Sequence, residues 1–208
     1  MRRGSQISRK QVSSDASRSR IFPLIGFAWF VAALLVGASG HLAQLAPPGP
    51  QLVLAGLTVF LVAAGIMIPS FRAWLEGVDL RGVIALHLTR FVGIYFLVLY
   101  GRGLLPFQFA VVGGWGDIAV AAVAAVLLVV VGDGSAYARL LWVWNIFGLA
   151  DILFVVATAA RLATADPASM GPLRTLPLSL LPTFLVPLII ASHLLIFWRL
   201  RRAPHRAG

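Results

Sequence analysis

Three kinds of side chain inside the apolar stretches of this chain can carry charge or move a proton, and an asparagine can join them by hydrogen bonds. Two carboxylates come first: Asp117 in "GWGDI" (Gly114–Ile118) and Asp151 in "GLADI" (Gly148–Ile152). The two stretches share a pattern of Gly, a bulky residue, a small residue, Asp and Ile. A carboxylate at the centre of a hydrocarbon-spanning helix costs roughly 2.5–3.5 kcal/mol on insertion scales, so a pair of them calls for a partner or a task. The partner at hand is Arg90, which follows His87 by three residues in "HLTRF"; that spacing puts both on one helical face. His193 in "IIASHLLIFW" and Asn145 in "WNIFGLADI" complete the set. Asn145, Gly148 and Asp151 fall three apart and so run along one stripe of their helix.

These residues offer three kinds of chemistry. Asp117 and Asp151 with Arg90 make a charge-compensated proton or ion relay. Two carboxylates in one poorly solvated site do not both ionise readily, so Arg90 balances one while the other holds a proton. His87 and His193 lie at similar depth and could ligate a b-type haem between two helices. A nonhaem metal on His87, His193, Asp117 and Asp151 would require the two polar layers to converge; the sequence requires no cofactor. The third option is a polar core, including Asn145, that only fixes helix packing. His41 falls at the end of an apolar segment and His205 in a basic tail, and neither joins the set.

Other chemistry is missing. There is no H-E-x-x-H, G-x-S-x-G or G-x-x-x-x-G-K-[ST] pattern, and "VVGDG" (Val130–Gly134) is a turn signal. With no cysteine there is no disulfide, thiolate ligand or thiol nucleophile. Lys10, the one lysine, lies outside the apolar segments, which excludes an intramembrane Schiff base. The sequence therefore leans away from an enzyme.

The elements that must position these groups are apolar helices. Of 208 residues 60% are hydrophobic and 12% charged, against about 45–50% and about 25% in soluble domains, and the mean hydropathy is +0.92. Six apolar segments stand out, at about 21–44, 51–70, 83–103, 108–131, 139–160 and 177–198. Each has the roughly 20 residues a helix needs to cross about 30 Å of hydrocarbon. Backbone polar groups cannot go unpaired there, so the segments must be helical. The expected fold is an all-α integral membrane protein, a compact bundle of six transmembrane helices over 21–200. Residues 1–20, polar, basic and serine-rich, read as a disordered tail, and 201–208 as a second basic tail. The run Ile21–Gly37 outlasts the 7–15 residues of a usual signal-peptide core, so the first helix is read as retained. "FRAWLEGVDLR" (Phe71–Arg81) is amphiphilic and suits a short interfacial helix or an ordinary loop. Pro177, Pro182 and Pro187 should kink the last segment and free carbonyls.

Basic residues orient the bundle. With both termini inside, thirteen Lys and Arg flank the cytoplasmic ends and three (Arg102, Arg161, Arg174) the outer ends. Asp117 and Asp151 then lie about 21 and 18 Å from the cytoplasmic ends of their segments, and small residues beside each permit close helix approach. His87, Asn145 and His193 form a layer in the cytoplasmic half; Arg90, Asp117 and Asp151 form one nearer the middle. The expectation is a small proton- or ion-coupled transporter or permease in a bacterial plasma (inner) membrane, with a homodimer as its working unit. Its partners are the lipid bilayer, with anionic lipid at the cytoplasmic face, and no nucleic acid, because the positive charge flanks the apolar segments. The alternatives are a redox protein or enzyme using His87 and His193, and a structural or assembly subunit.

Overall fold

A computed structural model describes residues 3–130 and 135–202, with side chains from Ile21 onward except Ser135. Among these residues there is no strand. The chain runs α1 (Arg3–Ser39), α2 (His41–Gln44), α3 (Gly49–Met67), α4 (Pro69–Gly77) and α5 (Leu80–Leu86). A 3₁₀ segment, His87–Phe91, leads directly into α6 (Val92–Gly101). A π-type turn, Gln108–Gly113, opens α7 (Gly114–Val129), and α8 spans Ser135–Ala165. A second π-type turn, Leu181–Leu185, opens α9 (Val186–Arg202).

Six stretches are long and apolar enough to cross a membrane: Ile21–Ser39, Gly49–Met67, Leu80–Gly101, Gln108–Val129, Ala136–Ala165 and Leu181–Arg202. All six expected segments are helical, with shifted ends. The first stops at Ser39 because Gly40 takes a left-handed conformation (φ 72°), open to a residue without a Cβ. The third stops at Gly103 (φ 71°), where Gly103 N donates to Tyr100 O at 2.8 Å and Leu104 N to Leu99 O at 2.9 Å, a Schellman closure of the last carbonyls. Asp79 starts α5 by accepting from Arg81 N at 3.1 Å, as an N-cap does. "FRAWLEGVDLR" is helical over most of its length, in α4, with Pro69 in the first turn, where its missing N–H costs nothing. The backbone helix of α1 begins at Arg3, inside the stretch read as a disordered tail; a helix nucleated by the apolar run propagates upstream without a new nucleation cost. The side chains of that tail, the "VVGDG" turn beyond Val130 and the end of the C-terminal tail, His205 included, lie outside the described residues.

The last segment begins at Leu181, not Pro177, and its prolines act as expected on the backbone. Pro187 has no N–H for the carbonyl of Thr183, four residues earlier. That carbonyl is taken instead by Trp29 Nε1 of α1 at 2.9 Å. A side chain from the first apolar stretch thus completes the hydrogen bonding of the last.

The packed nucleus is built from the last four stretches. The 3₁₀ segment and α6 pack on α7, α7 on α8, and α8 on α9; α3 lies against α9 and α1 touches mainly α2, α4 and the Leu181–Leu185 turn. No residue of α3 is buried. Two apolar clusters fill the ends. One joins Ile84, Leu127, Leu141, Trp144 and Ile196, toward α4. The other joins Phe96, Leu105, Phe109, Met170 and Leu178, toward the 166–180 loop. Between them lies a polar layer.

Candidate functional site: a buried arginine with two aspartates and a histidine layer

Arg90 sits in the 3₁₀ segment. There residues i and i+3 eclipse, so His87 and Arg90 point the same way, and both are buried. Every nitrogen of the guanidinium is engaged. Nε donates to Asp117 Oδ1 at 2.6 Å, one terminal nitrogen donates to Gly148 O at 2.9 Å, and the other pairs with Asp151 Oδ2. Arg90 and Asp117 are 1% and 3% exposed, so this is a buried ion pair. Asp151 is only partly buried. Desolvating each ion costs several kcal/mol, which only close geometry and further hydrogen bonds offset. Arg90 holds both aspartates, not the one expected from the sequence, because its fork reaches α7 and α8 together.

Close backbone approach makes this possible. A Cβ on Gly93 would run into the carbonyl of Gly114, so the glycine lets α6 lie directly on α7. A Cβ on Gly116 would collide with the Asp151 carboxylate. The shared Gly–x–small–Asp–Ile pattern therefore has a geometric counterpart: it brings the two acids to one arginine.

The histidine layer lies one turn away. Asn145 Nδ2 donates to His193 O at 3.0 Å, and Asn145 Oδ1 accepts from His193 Nδ1 at 2.8 Å. Ser192 Oγ donates to Ile189 O at 2.8 Å, so it accepts from His87 Nε2 at 3.1 Å. These partners fix both tautomers and leave His87 Nδ1 and His193 Nε2 as buried nitrogens without a partner among the described residues. The rings lie with centroids 4.3 Å apart, and Trp144 packs edge-on against His87 at 4.8 Å while its Nε1 donates to Val120 O at 3.0 Å. Gly148 links the layers. Its carbonyl holds Arg90, and a Cβ there would lie 2.6 Å from His193 Cε1.

All six residues singled out from the sequence meet here. The haem reading does not fit them. The two imidazoles touch, which leaves no gap for a macrocycle between them. The nonhaem metal reading fails as well: among the described residues no group of three or more His, Cys, Asp or Glu is placed to hold a metal ion. Sequence reasoning missed Ser192, Trp144, Gly93 and the Gly148 carbonyl. Ser192 and Trp144 directly precede His193 and Asn145, and that adjacency was the available signal.

A cavity of about 320 Å³ ends on this site. Arg90 and Asp117 line one end, and Pro47, Pro167 and Arg174 the other. Along α8 it extends from Ile152 to Ala163, about 16 Å at 1.5 Å per residue. Its walls are mainly aliphatic, with Phe96 and Phe109 among them. The α4 half of the bundle is filled by the cluster around Ile84 and Ile196.

No curated protein and no solved structure matches this chain. A family model does match, over residues 47–201, a stretch that contains Arg90, both aspartates, Asn145 and both histidines. The chain belongs to that family, described as Domain of unknown function (DUF8737).

Proposed function

We propose that the chain is a multi-pass plasma-membrane protein, both termini cytoplasmic, that couples a proton or ion to transport through Arg90, Asp117 and Asp151. Membrane insertion is supported by large apolar side chains left exposed on every candidate span, among them Phe27, Phe60, Met67, Trp115 and Phe147, since patches of that extent need an apolar solvent or partner. The charge asymmetry of the flanking segments supports the orientation.

The observation that carries the transport reading is the cavity. It reaches Arg90 and Asp117 from the 166–180 loop, while packed side chains fill the opposite half. A site open toward one face and closed toward the other is the arrangement alternating access needs. The charge count agrees: two carboxylates and one guanidinium leave one negative charge in a low-dielectric site, which one proton or one monovalent cation neutralises. The test is proton flux into liposomes loaded with a pH-sensitive dye and driven by a potassium diffusion potential. Wild-type protein should carry flux above empty liposomes, and Asp117→Asn and Asp151→Asn should each lose at least nine-tenths of it. Flux no greater than in empty liposomes, or unchanged in both variants, overturns the reading.

A structural polar core is the second reading, favoured by full engagement of the Arg90 nitrogens. It predicts folded variants and no flux in any of them.

A further inference from the structure

The floor of the cavity combines three properties. First, the Arg90–Asp117–Asp151 group carries one acid more than it has bases, and no other basic side chain bonds either carboxylate among the described residues. Second, Asp117 faces the cavity, and among the described residues nothing donates to its second oxygen, Oδ2, although the residue is 3% exposed. Third, the walls above it, including Phe109, Val156, Ala159, Leu181 and Leu185, are apolar. An apolar body with one hydrogen-bond-donating positive charge matches all three. A cavity of about 320 Å³ is at the small end of ligand sites, about 300–1,000 Å³.

We propose that this cavity binds a lipophilic monocation, a protonated amine on a compact apolar body, whose N–H donates to Asp117. The ammonium takes the place of the proton that otherwise balances the two acids. In the exchange, the protonated acid gives up its proton to water, the ammonium enters with its own N–H bonds intact, and the group keeps the same net charge. One proton is released for each amine bound. This rests on the reading of the three residues as a charge-exchange site.

Arg174, at the opposite end, is the feature that would favour an anion. Its guanidinium is turned into the loops, donating to Pro167 O at 3.0 Å and Ala43 O at 3.3 Å. Its Nε and the Oε1 of Gln51, also at that end, have no partner among the described residues. A carboxylate ligand would seat there, away from the aspartates, and so can be told apart.

The experiment is calorimetric binding of hexylamine, hexanol and hexanoate to the full chain in nanodiscs, in two buffers of different ionisation enthalpy. The expected result is hexylamine binding at least tenfold tighter than hexanol, hexanoate binding weakest, and about one proton released per hexylamine. Asp117→Asn should remove the preference for amine over alcohol. Ala159→Trp, which fills the cavity and spares the charges, should weaken amine and alcohol alike. Equal binding of the three probes, tightest binding of hexanoate with loss in Arg174→Gln, or no binding of any probe overturns the proposal. The wild-type comparison decides this even where a variant does not fold. Proton flux in liposomes without amine preference removes this inference alone; amine binding without flux removes the transport reading alone.

Discussion

Asn145 and His193 exchange two hydrogen bonds, one to the imidazole and one to the backbone of the same residue. The amide nitrogen must face the His193 carbonyl, so the amide oxygen must face Nδ1, and Nδ1 must carry the proton. The tautomer of a fully buried histidine is thus set by an asparagine on the neighbouring helix.

Nitrogen NMR of ring-labelled protein should therefore show His193 as the neutral Nδ1–H form. Asn145→Leu would leave the buried Nδ1–H of His193 unpaired, at about 1–3 kcal/mol, and would take from the His193 carbonyl its side-chain donor, leaving that carbonyl its helical bond within α9. Unfolding in SDS titrations should shift accordingly, and the His193 ring signals should become those of a tautomer mixture. Unchanged ring signals in the variant would show that Asn145 does not set the tautomer.

Arg90→Leu should be among the most destabilising single changes, by about 3–5 kcal/mol, because it strands two carboxylates. Combining it with Asp117→Asn or Asp151→Asn should recover part of the loss. Both double-mutant cycles should give a coupling energy clearly different from zero. Coupling to one aspartate alone would remove the shared-arginine arrangement.

Two glycine-to-alanine changes should have opposite signs. At Gly56, in α3, nothing lies within 4 Å of an added Cβ, so alanine should stabilise by about 0.5–1 kcal/mol through helix propensity. At Gly148 the Cβ would meet the His193 ring, already fixed by Asn145, and the backbone that holds Arg90 would have to shift. There alanine should destabilise, and SDS unfolding of the two variants measures the contrast.

Trp29→Phe tests the repair of the proline break. It keeps an aromatic ring, though a smaller one, removes the donor to Thr183 O, and should cost about 1–3 kcal/mol in the same assay. Replacing Pro187 with Ala as well should offset much of that cost by restoring a backbone donor.

Reporter fusions test orientation. A reporter after Arg202 should read cytoplasmic, and one inserted in the 166–170 loop should read external. Both on one side would remove the six-span arrangement.

Much of this was legible in the sequence for a simple reason: hydropathy and the period of the helix are local properties. The six apolar helices, the pairing of His87 with Arg90 on one face and the Asn145–Gly148–Asp151 stripe all follow from local spacing. The contacts of Arg90 were not legible, because they depend on how closely α6, α7 and α8 approach. That distance is set by Gly93 and Gly116, which in sequence are two glycines among twenty. The cavity was equally hidden. It is a gap between α3, α8 and α9, and a gap has no residues of its own.

The winding of His87–Phe91 has a mechanical consequence. In a 3₁₀ turn His87 and Arg90 share one azimuth; in an α-helix they would differ by about 60°, and five residues would shorten by about 2.5 Å. The segment therefore acts as a key cut to two wards: one backbone twist sets both Arg90 between its aspartates and His87 against Ser192. Rewinding these few residues would disengage the two together.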